Sequence, residues 1–210
     1  AILAAGGSQR LFLAGACIEC KHVYTICVAV YLFTQHAYRT WNADRPQGYV
    51  KHKQGIQLAS SKLAHAYNLA AKDDPVIFTS RHQDVIRWIL WDACQRRGWR
   101  LHYVATDSTH VHVLVSWVAF QRWEPVRAKF KNLISWALTN EFDAEGKRWL
   151  TGKGSRKQVR DHQHFEHLVN TYLPGHGGLC WREGDAPPPA PAWSCKVGRA
   201  AKHPLPPGCG

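Results

Sequence analysis

The sequence contains no methionine, and acidic residues are scarce, with 15 aspartates and glutamates against 27 lysines and arginines in 210 residues. Without a methionine the chain does not begin at an initiator residue, and we expect residues 1–22 to be an N-terminal extension of fragmentary or translated upstream sequence. The formal net charge of +12 favours polyanionic partners, nucleic acid above all. The alternative is a basic surface that serves solubility alone.

Long apolar runs are absent as well. The longest, residues 26–33, has the length of a strand, whereas a helix that spans a membrane needs about 20 apolar residues. The N-terminus also lacks a basic segment followed by an apolar core, so no signal peptide is expected. These absences argue against a membrane partner and favour a cytoplasmic location.

The seven cysteines lack the spacing of a complete zinc site. Cys17-x-x-Cys20 followed by His22 supplies half of such a site, but no second CxxC motif completes it. Free thiols in a reducing cytoplasm are therefore the default expectation. A structural zinc site that uses these three residues is the alternative.

What the sequence does contain is a pair of histidines in a run of β-branched and apolar residues, Thr-His-Val-His-Val-Leu-Val at 109–115. Such a run predicts a strand. Because side chains alternate along a strand, His110 and His112 share one face while the three valines point into a core. Two neighbouring imidazoles can bind a divalent metal. The alternative is a half-buried strand whose histidines bind no metal.

Hydrophobic spacing and turn residues predict an α+β domain. Strands are predicted over residues 23–34, 99–105, 110–115 and from 148, helices over 58–71, 80–98, from 124 and over 159–173, and a flexible basic loop over 151–157. The order strand, helix, strand, strand, helix, strand and closing helix is typical of the ferredoxin-like fold, with helices packed on an antiparallel sheet. Proline-rich composition predicts a disordered tail over 182–210, which leaves 23–181 as the folded domain.

A tyrosine near the end of the predicted closing helix adds a second kind of chemistry. Apolar residues at helical spacing place Tyr172 on the inner face of the last turn, towards the sheet. His176, one helical turn later, is the best candidate for a third metal ligand beside His110 and His112. A metal held there would polarise a phosphodiester, and Tyr172 would be the nucleophile. The alternative is a core tyrosine on an amphipathic helix.

Two basic segments are candidates for contacts to DNA, one on the outer side of the helix from Glu124 and one in the predicted basic loop. Their residues are Arg127, Lys129, Lys131, Lys153, Arg156 and Lys157. Lysine and arginine bind phosphates and position a nucleic acid. The chain also has ten tryptophans, and aromatic rings among basic residues suit base stacking.

These segments together resemble the HUH single-tyrosine transposases, including the REP-associated group. The resemblance lies in residues 109–115, in the loop 38–45 and in the segment Asn-Thr-Tyr-Leu-Pro-Gly-His-Gly-Gly-Leu-Cys-Trp at 170–181, and it spans about residues 31–181. It implies a bacterial, nucleoid-associated enzyme in which His110 and His112 bind Mg²⁺ or Mn²⁺ and Tyr172 attacks single-stranded or hairpin DNA, giving a 5′-phosphotyrosine and a free 3′-OH. Many members carry glutamine or asparagine four residues after the tyrosine, where this chain has His176.

Other functions compete with this one. An inactive, domesticated relative that binds single-stranded nucleic acid has the same charge and aromatic content. A nickase of replication or conjugation usually carries a helicase or longer relaxase region, for which 210 residues leave no room. Both a monomer and a homodimer that shares its tyrosine helices are compatible with the sequence.

Overall fold

A computed structural model describes residues 28–51, 54–118, 121–152 and 154–194. Its elements in chain order are β1 (Val28–His36), β2 (Tyr49–Lys51), β3 (Gly55–Gln57), α1 (Ser61–Leu69), α2 (Ser80–Arg97), β4 (Arg100–Thr106), β5 (His110–Val118), α3 (Trp123–Phe142), β6 (Ser155–Gln158), α4 (His162–His167), a π-helical turn (Leu168–Tyr172) and β7 (Cys180–Arg182). The predicted extension 1–22, with its cysteine pair and His22, lies outside the described residues.

Five strands form one antiparallel sheet in the order β6-β1-β5-β4-β7, and β2 pairs with β3 in a separate hairpin. Without the edge strand β7, the sheet has the strand order of the ferredoxin-like fold, and the α+β prediction is confirmed. Two cross-strand pairs of this sheet matter for the site. His110 lies opposite His36, and His112 lies opposite Thr34, on the central strands β5 and β1.

Strand alternation divides the side chains of the sheet between two faces. On the α2/α3 face, the three valines of residues 111–115 pack with the two long helices in the larger core. On the α4 face, Leu32 and Leu114 pack with Leu168, Val169 and Leu173 from the segment that follows α4. The odd and even residues of β5 therefore serve different layers, as the alternation predicts, and both histidines belong to the α4 face.

Both ends of α2 are capped, and the N-cap is Thr79 rather than Ser80, whose spacing to Gln83 is that of a capping box. Thr79 caps the first turn of α2, and its hydroxyl accepts from the backbone N–H of His82. Gly98 ends the helix with a φ of 63°, a left-handed conformation that glycine adopts without the steric cost of a Cβ. In the described part of the chain, no helix is both long enough and apolar enough to cross a membrane.

Three predicted elements differ from the structure: a strand, a loop and the start of a helix. The strand expected from Arg148 is reduced to a single bridge between Leu150 and Ala37, and residues 155–158 of the predicted loop form β6, which pairs with β1. All four side chains of β6 are exposed, so no apolar alternation marks it as a strand. The closing helix begins at His162 rather than at residue 159, because Val159 donates its N–H to the Val30 carbonyl of the sheet (2.9 Å).

The beginning of the predicted disordered tail packs on the domain. Arg182 belongs to β7, and the Trp193 ring makes edge-on contacts with Trp88 on α2 and Trp136 on α3, with ring centroids 5.2 and 5.1 Å apart. The Trp181 indole N–H donates to the Ala186 carbonyl (3.0 Å). Aromatic contacts therefore hold residues up to 194 on the domain, although their proline-rich composition is typical of a disordered chain. Residues 195–210 lie outside the described part.

Candidate active site

Three histidines meet on the α4 face at one end of the sheet. His110 and His112 extend from β5 with ring centroids 4.8 Å apart, and the His176 ring lies 4.4 Å from His112 and 5.3 Å from His110. One nitrogen from each of the three lies within 4.8 Å of the other two. This spacing allows the three side chains, which we call the three-histidine group, to hold one metal ion.

Each imidazole of the group has a protein partner at its Nδ1 atom. His112 Nδ1 lies 2.8 Å from the Thr34 hydroxyl, and His110 Nδ1 lies 3.0 Å from the Thr109 hydroxyl. His176 Nδ1 lies 3.1 and 3.2 Å from the carbonyl oxygens of Tyr172 and Leu173. Since a carbonyl oxygen only accepts, His176 Nδ1 must donate, which leaves the lone pair of a neutral ring on Nε2. Second hydrogen bonds of this kind orient the imidazoles that bind metals in proteins.

The surroundings keep the two strand histidines neutral. Burial first, and then the neighbouring His110 and His176 rings, lower the pKa of His112 to about 3. Burial also lowers the pKa of His110, and the nearby Asp107 carboxylate offsets only part of this shift. Neutral imidazoles offer the lone pairs that a metal ion needs, so at neutral pH neither ring must lose a proton before binding.

The Tyr172 hydroxyl reaches the same group. Its oxygen lies 3.5 Å from His112 Nε2, and the two rings meet edge to face with centroids 5.4 Å apart. Tyr172 ends the π-helical turn, in which the Leu173 N–H donates to the Leu168 carbonyl five residues earlier (2.9 Å). Leu173 is fully buried while Tyr172 is 41% exposed. The phenol therefore lies at the border of the buried face rather than inside it, where both the histidines and solvent reach it.

Two residues of β1 belong to the site, although the sequence analysis did not identify them. Thr34 is bonded to His112, and the His36 ring lies 5.8 Å from that of His110. Burial first, and then the neighbouring His110 and Arg45 side chains, lower the pKa of His36 to about 4. The sequence signal for both residues is their spacing of two along the strand, which places Thr34 and His36 on the same face as Leu32. This signal points to the site only once β1 is known to pair with β5.

The predicted DNA-binding residues lie on both sides of the sheet. Arg127 and Arg156 both lie over the Trp123 ring, 4.9 and 4.1 Å from its centroid, on the α2/α3 face. On the same side, the Lys131 ammonium donates to the Gly152 carbonyl (2.6 Å), and Lys129 is half-buried on α3. Lys157 lies opposite Leu32 and thus on the α4 face with the histidines. Lys153 is outside the described residues.

Comparisons with known proteins give a likeness of fold. No protein-family model and no curated protein matches the chain. Among solved structures, a REP-associated tyrosine transposase bound to a REP hairpin is 10% identical with a TM-score of 0.40, over 75% of this chain and 70% of that one. A candidate transposase from Deinococcus radiodurans R1 is 12% identical with a TM-score of 0.37, over 77% of this chain and all of the other. At these identities the likeness extends to the fold alone.

The arrangement combines three side chains that could hold a metal ion with an accessible phenol. Three nitrogen donors leave the remaining coordination positions of an ion to water or substrate. A phenol oxygen beside them can attack an electrophile that the ion orients. The basic residues on either side of the sheet favour an anionic substrate.

Proposed function

We propose that the chain is a single-stranded DNA endonuclease and strand transferase that uses Tyr172 as its nucleophile and a divalent metal held by His110, His112 and His176. The observation that carries the proposal is the position of the Tyr172 hydroxyl, 3.5 Å from a nitrogen of the three-histidine group. A nucleophile needs to lie within contact distance of the group that it works with. A tyrosine with only a structural role needs neither these neighbours nor its exposure.

The chemistry of the donors fits a divalent transition metal. Imidazole nitrogens are softer ligands than Mg²⁺ prefers, so of Mg²⁺ and Mn²⁺ we expect Mn²⁺ to bind more tightly. When bound, such an ion supplies Lewis acidity to the non-bridging oxygens of a phosphodiester. Thr34 and Thr109 keep two of the ligands in place through their Nδ1 atoms.

The reaction that we propose conserves a phosphodiester bond. The Tyr172 oxygen bonds to phosphorus while the bond from phosphorus to the 3′-oxygen breaks, and the phenol proton passes to solvent. The 3′-oxygen leaves and takes up a proton to give a free 3′-OH, and the other DNA end stays on Tyr172 as a 5′-phosphotyrosine. Because a phenolate is also a leaving group, attack by a 3′-OH reverses the step and rejoins strands.

A cleavage assay tests the proposal. The substrate is a pool of labelled DNA hairpins with randomised single-stranded flanks, incubated with Mn²⁺ and analysed on a denaturing gel for DNA that migrates with the protein. We expect a covalent adduct with the native chain, none with Tyr172→Phe and none in the presence of a chelator. Tyr67, an exposed tyrosine on α1, provides the matched control, since Tyr67→Phe should form the adduct normally.

The same assay separates the competing function. If the native chain binds the hairpins but forms no adduct with Mn²⁺, Mg²⁺, Co²⁺ or Zn²⁺, the chain is a nucleic-acid-binding protein and not a nuclease. If Tyr172→Phe still forms the adduct, another residue is the nucleophile and the proposed mechanism is wrong.

A further inference from the structure

A row of neighbouring side chains leads from the surface to the three-histidine group. The Arg45 guanidinium lies 4.0 Å from the centroid of the Trp41 ring, the Trp41 ring lies 4.5 Å from the His36 ring, and the His36 ring lies 5.8 Å from that of His110. His36 and His110 are opposite one another in the sheet. The row therefore joins a cation to the candidate metal site through two aromatic rings.

Hydrogen bonds hold the loop that carries Trp41 and Arg45 at several points. The Thr40 hydroxyl donates to the Thr109 carbonyl beside His110 (3.1 Å). The Arg39 guanidinium donates to the carbonyl of Asp73 (2.9 Å) and to the side chain of Asn68 (2.8 Å), and the Ser60 N–H donates to the Ala43 carbonyl (2.8 Å). Contacts on both sides of Trp41 thus fix its position relative to the histidines, although its ring is 46% exposed.

The positive charges near the row favour an anionic ligand. Neutral imidazoles bring no negative charge, so a divalent ion held by the three-histidine group keeps its full charge. Among the described residues, no carboxylate forms an ion pair with Arg45. Asp107 already accepts from the Ser108 hydroxyl and the Thr109 N–H (3.0 and 3.2 Å). Two cations near one another repel, and an anion beside them lowers that repulsion.

We propose that Arg45 is a phosphate-binding residue of this site, and that Trp41 positions it. Its ligand is a phosphodiester of single-stranded DNA next to the one that Tyr172 attacks, so the inference rests on the proposed function and adds a substrate contact to it. The Trp41 ring holds the guanidinium by a cation–π contact and thereby limits the freedom that an exposed arginine would otherwise lose on binding.

Binding measurements test the inference without requiring cleavage. All variants are made on Tyr172→Phe, and the probe is a fluorescein-labelled 12-nucleotide single-stranded DNA of random sequence, titrated at several salt concentrations by fluorescence anisotropy with Mn²⁺ present. Each lost phosphate contact lowers the slope of log K against log salt by about 0.7 for single strands. We expect Arg45→Gln to lower the slope by this amount and to weaken binding by roughly tenfold at low salt.

The matched control is Arg97→Gln. Arg97 also lies over a tryptophan, 5.4 Å from the centroid of Trp99, but it ends α2 at the other end of the sheet, and its loss changes the net charge equally. We expect it to leave the slope unchanged. Arg45→Lys should retain the slope, Trp41→Phe should retain most of the affinity and Trp41→Leu should lose it, a pattern that simple unfolding would not give. If Arg45→Gln behaves as Arg97→Gln does, the inference is wrong.

The outcomes separate this inference from the proposed function. An effect of Arg45→Gln on binding, together with failure of the native chain to form an adduct, retains the phosphate contact and refutes the nuclease. For this comparison Arg45→Gln is also made on the chain that keeps Tyr172. An adduct that forms there at the native rate, with DNA binding also unchanged, retains the nuclease and refutes the phosphate contact.

Discussion

Thr34→Val removes the hydroxyl that bonds to His112 while it keeps the shape of the side chain. Thr34 is 8% exposed and His112 is 4% exposed, and their 2.8 Å hydrogen bond is buried between β1 and β5. Leaving Nδ1 of the buried imidazole without a partner costs about 1–3 kcal/mol of stability. For a chain of this size that lowers the melting temperature by roughly 2–12 °C.

The same change should weaken metal binding. Loss of the hydrogen bond that orients a ligating histidine typically lowers metal affinity by about 10- to 100-fold, because the ring is then free to rotate away from the other two ligands. Mn²⁺ affinity is measured by isothermal titration calorimetry, and stability by thermal unfolding followed by circular dichroism without metal. Thr34→Ser, which restores the hydroxyl, should recover most of the affinity.

Ser116→Ala distinguishes orientation of a ligand from general destabilisation. The Ser116 hydroxyl lies 2.8 Å from Nε2 of buried His102 on the same sheet, and His102 does not belong to the three-histidine group. Ser116→Ala should therefore lower the melting temperature to a similar extent and leave Mn²⁺ affinity unchanged. If Thr34→Val binds Mn²⁺ as tightly as the native chain, His112 is not a ligand whose orientation depends on Thr34, and the reasoning fails.

Three further predictions concern stability and DNA binding. The pKa of His112 falls from 6.5 to about 3 on folding, so between these pH values the unfolded chain binds more protons than the folded chain. The free energy of unfolding should therefore drop by roughly 2 kcal/mol from pH 6.5 to pH 5 for this residue alone. Denaturant titration should show a smaller drop in His112→Gln, and an equal drop would contradict the assignment. Lys157→Gln should weaken binding of a short single strand more than Arg156→Gln does, because Lys157 lies on the α4 face with the histidines and Arg156 lies on the opposite face; equal effects of the two variants in anisotropy would refute this division. Trp193→Ala should lower stability by about 1–3 kcal/mol, since it loses two aromatic contacts, and Trp193→Phe should lose less; a thermal melt that is unchanged in Trp193→Ala would mean that residues 182–194 do not stabilise the domain.

The sequence alone predicted the central strand β5 and the approach of its two histidines to the segment that carries Tyr172 and His176. The alternation at 110–115 assigns His112 to one face and Val113 to the other, and the structure has them on the α4 and α2/α3 faces. Periodic patterns of this kind depend on local geometry alone, since a strand must alternate and a helix must repeat every 3.6 residues. The order of the elements then left few ways to arrange an antiparallel sheet.

The elements that the sequence did not reveal are those that depend on partners distant in the chain. The strand β6 has four exposed polar side chains, and only its pairing with β1 makes it a strand. The π-helical turn before Tyr172 adds a residue to the helix and moves the phenol to the border of the buried face, which helical spacing does not predict. His36 and Arg45 lie in a segment that has the composition of a loop, and only the pairing of His36 with His110 brings them to the site.

Mass spectrometry of the covalent product tests the central claim most directly. The native chain is incubated with hairpin DNA and Mn²⁺, the adduct is digested with nuclease and trypsin, and the modified peptide is sequenced. The account predicts a nucleotide joined through its 5′-phosphate to Tyr172. A nucleotide on any other residue, or an adduct that forms equally well when His110 and His112 are both replaced by glutamine, would contradict it.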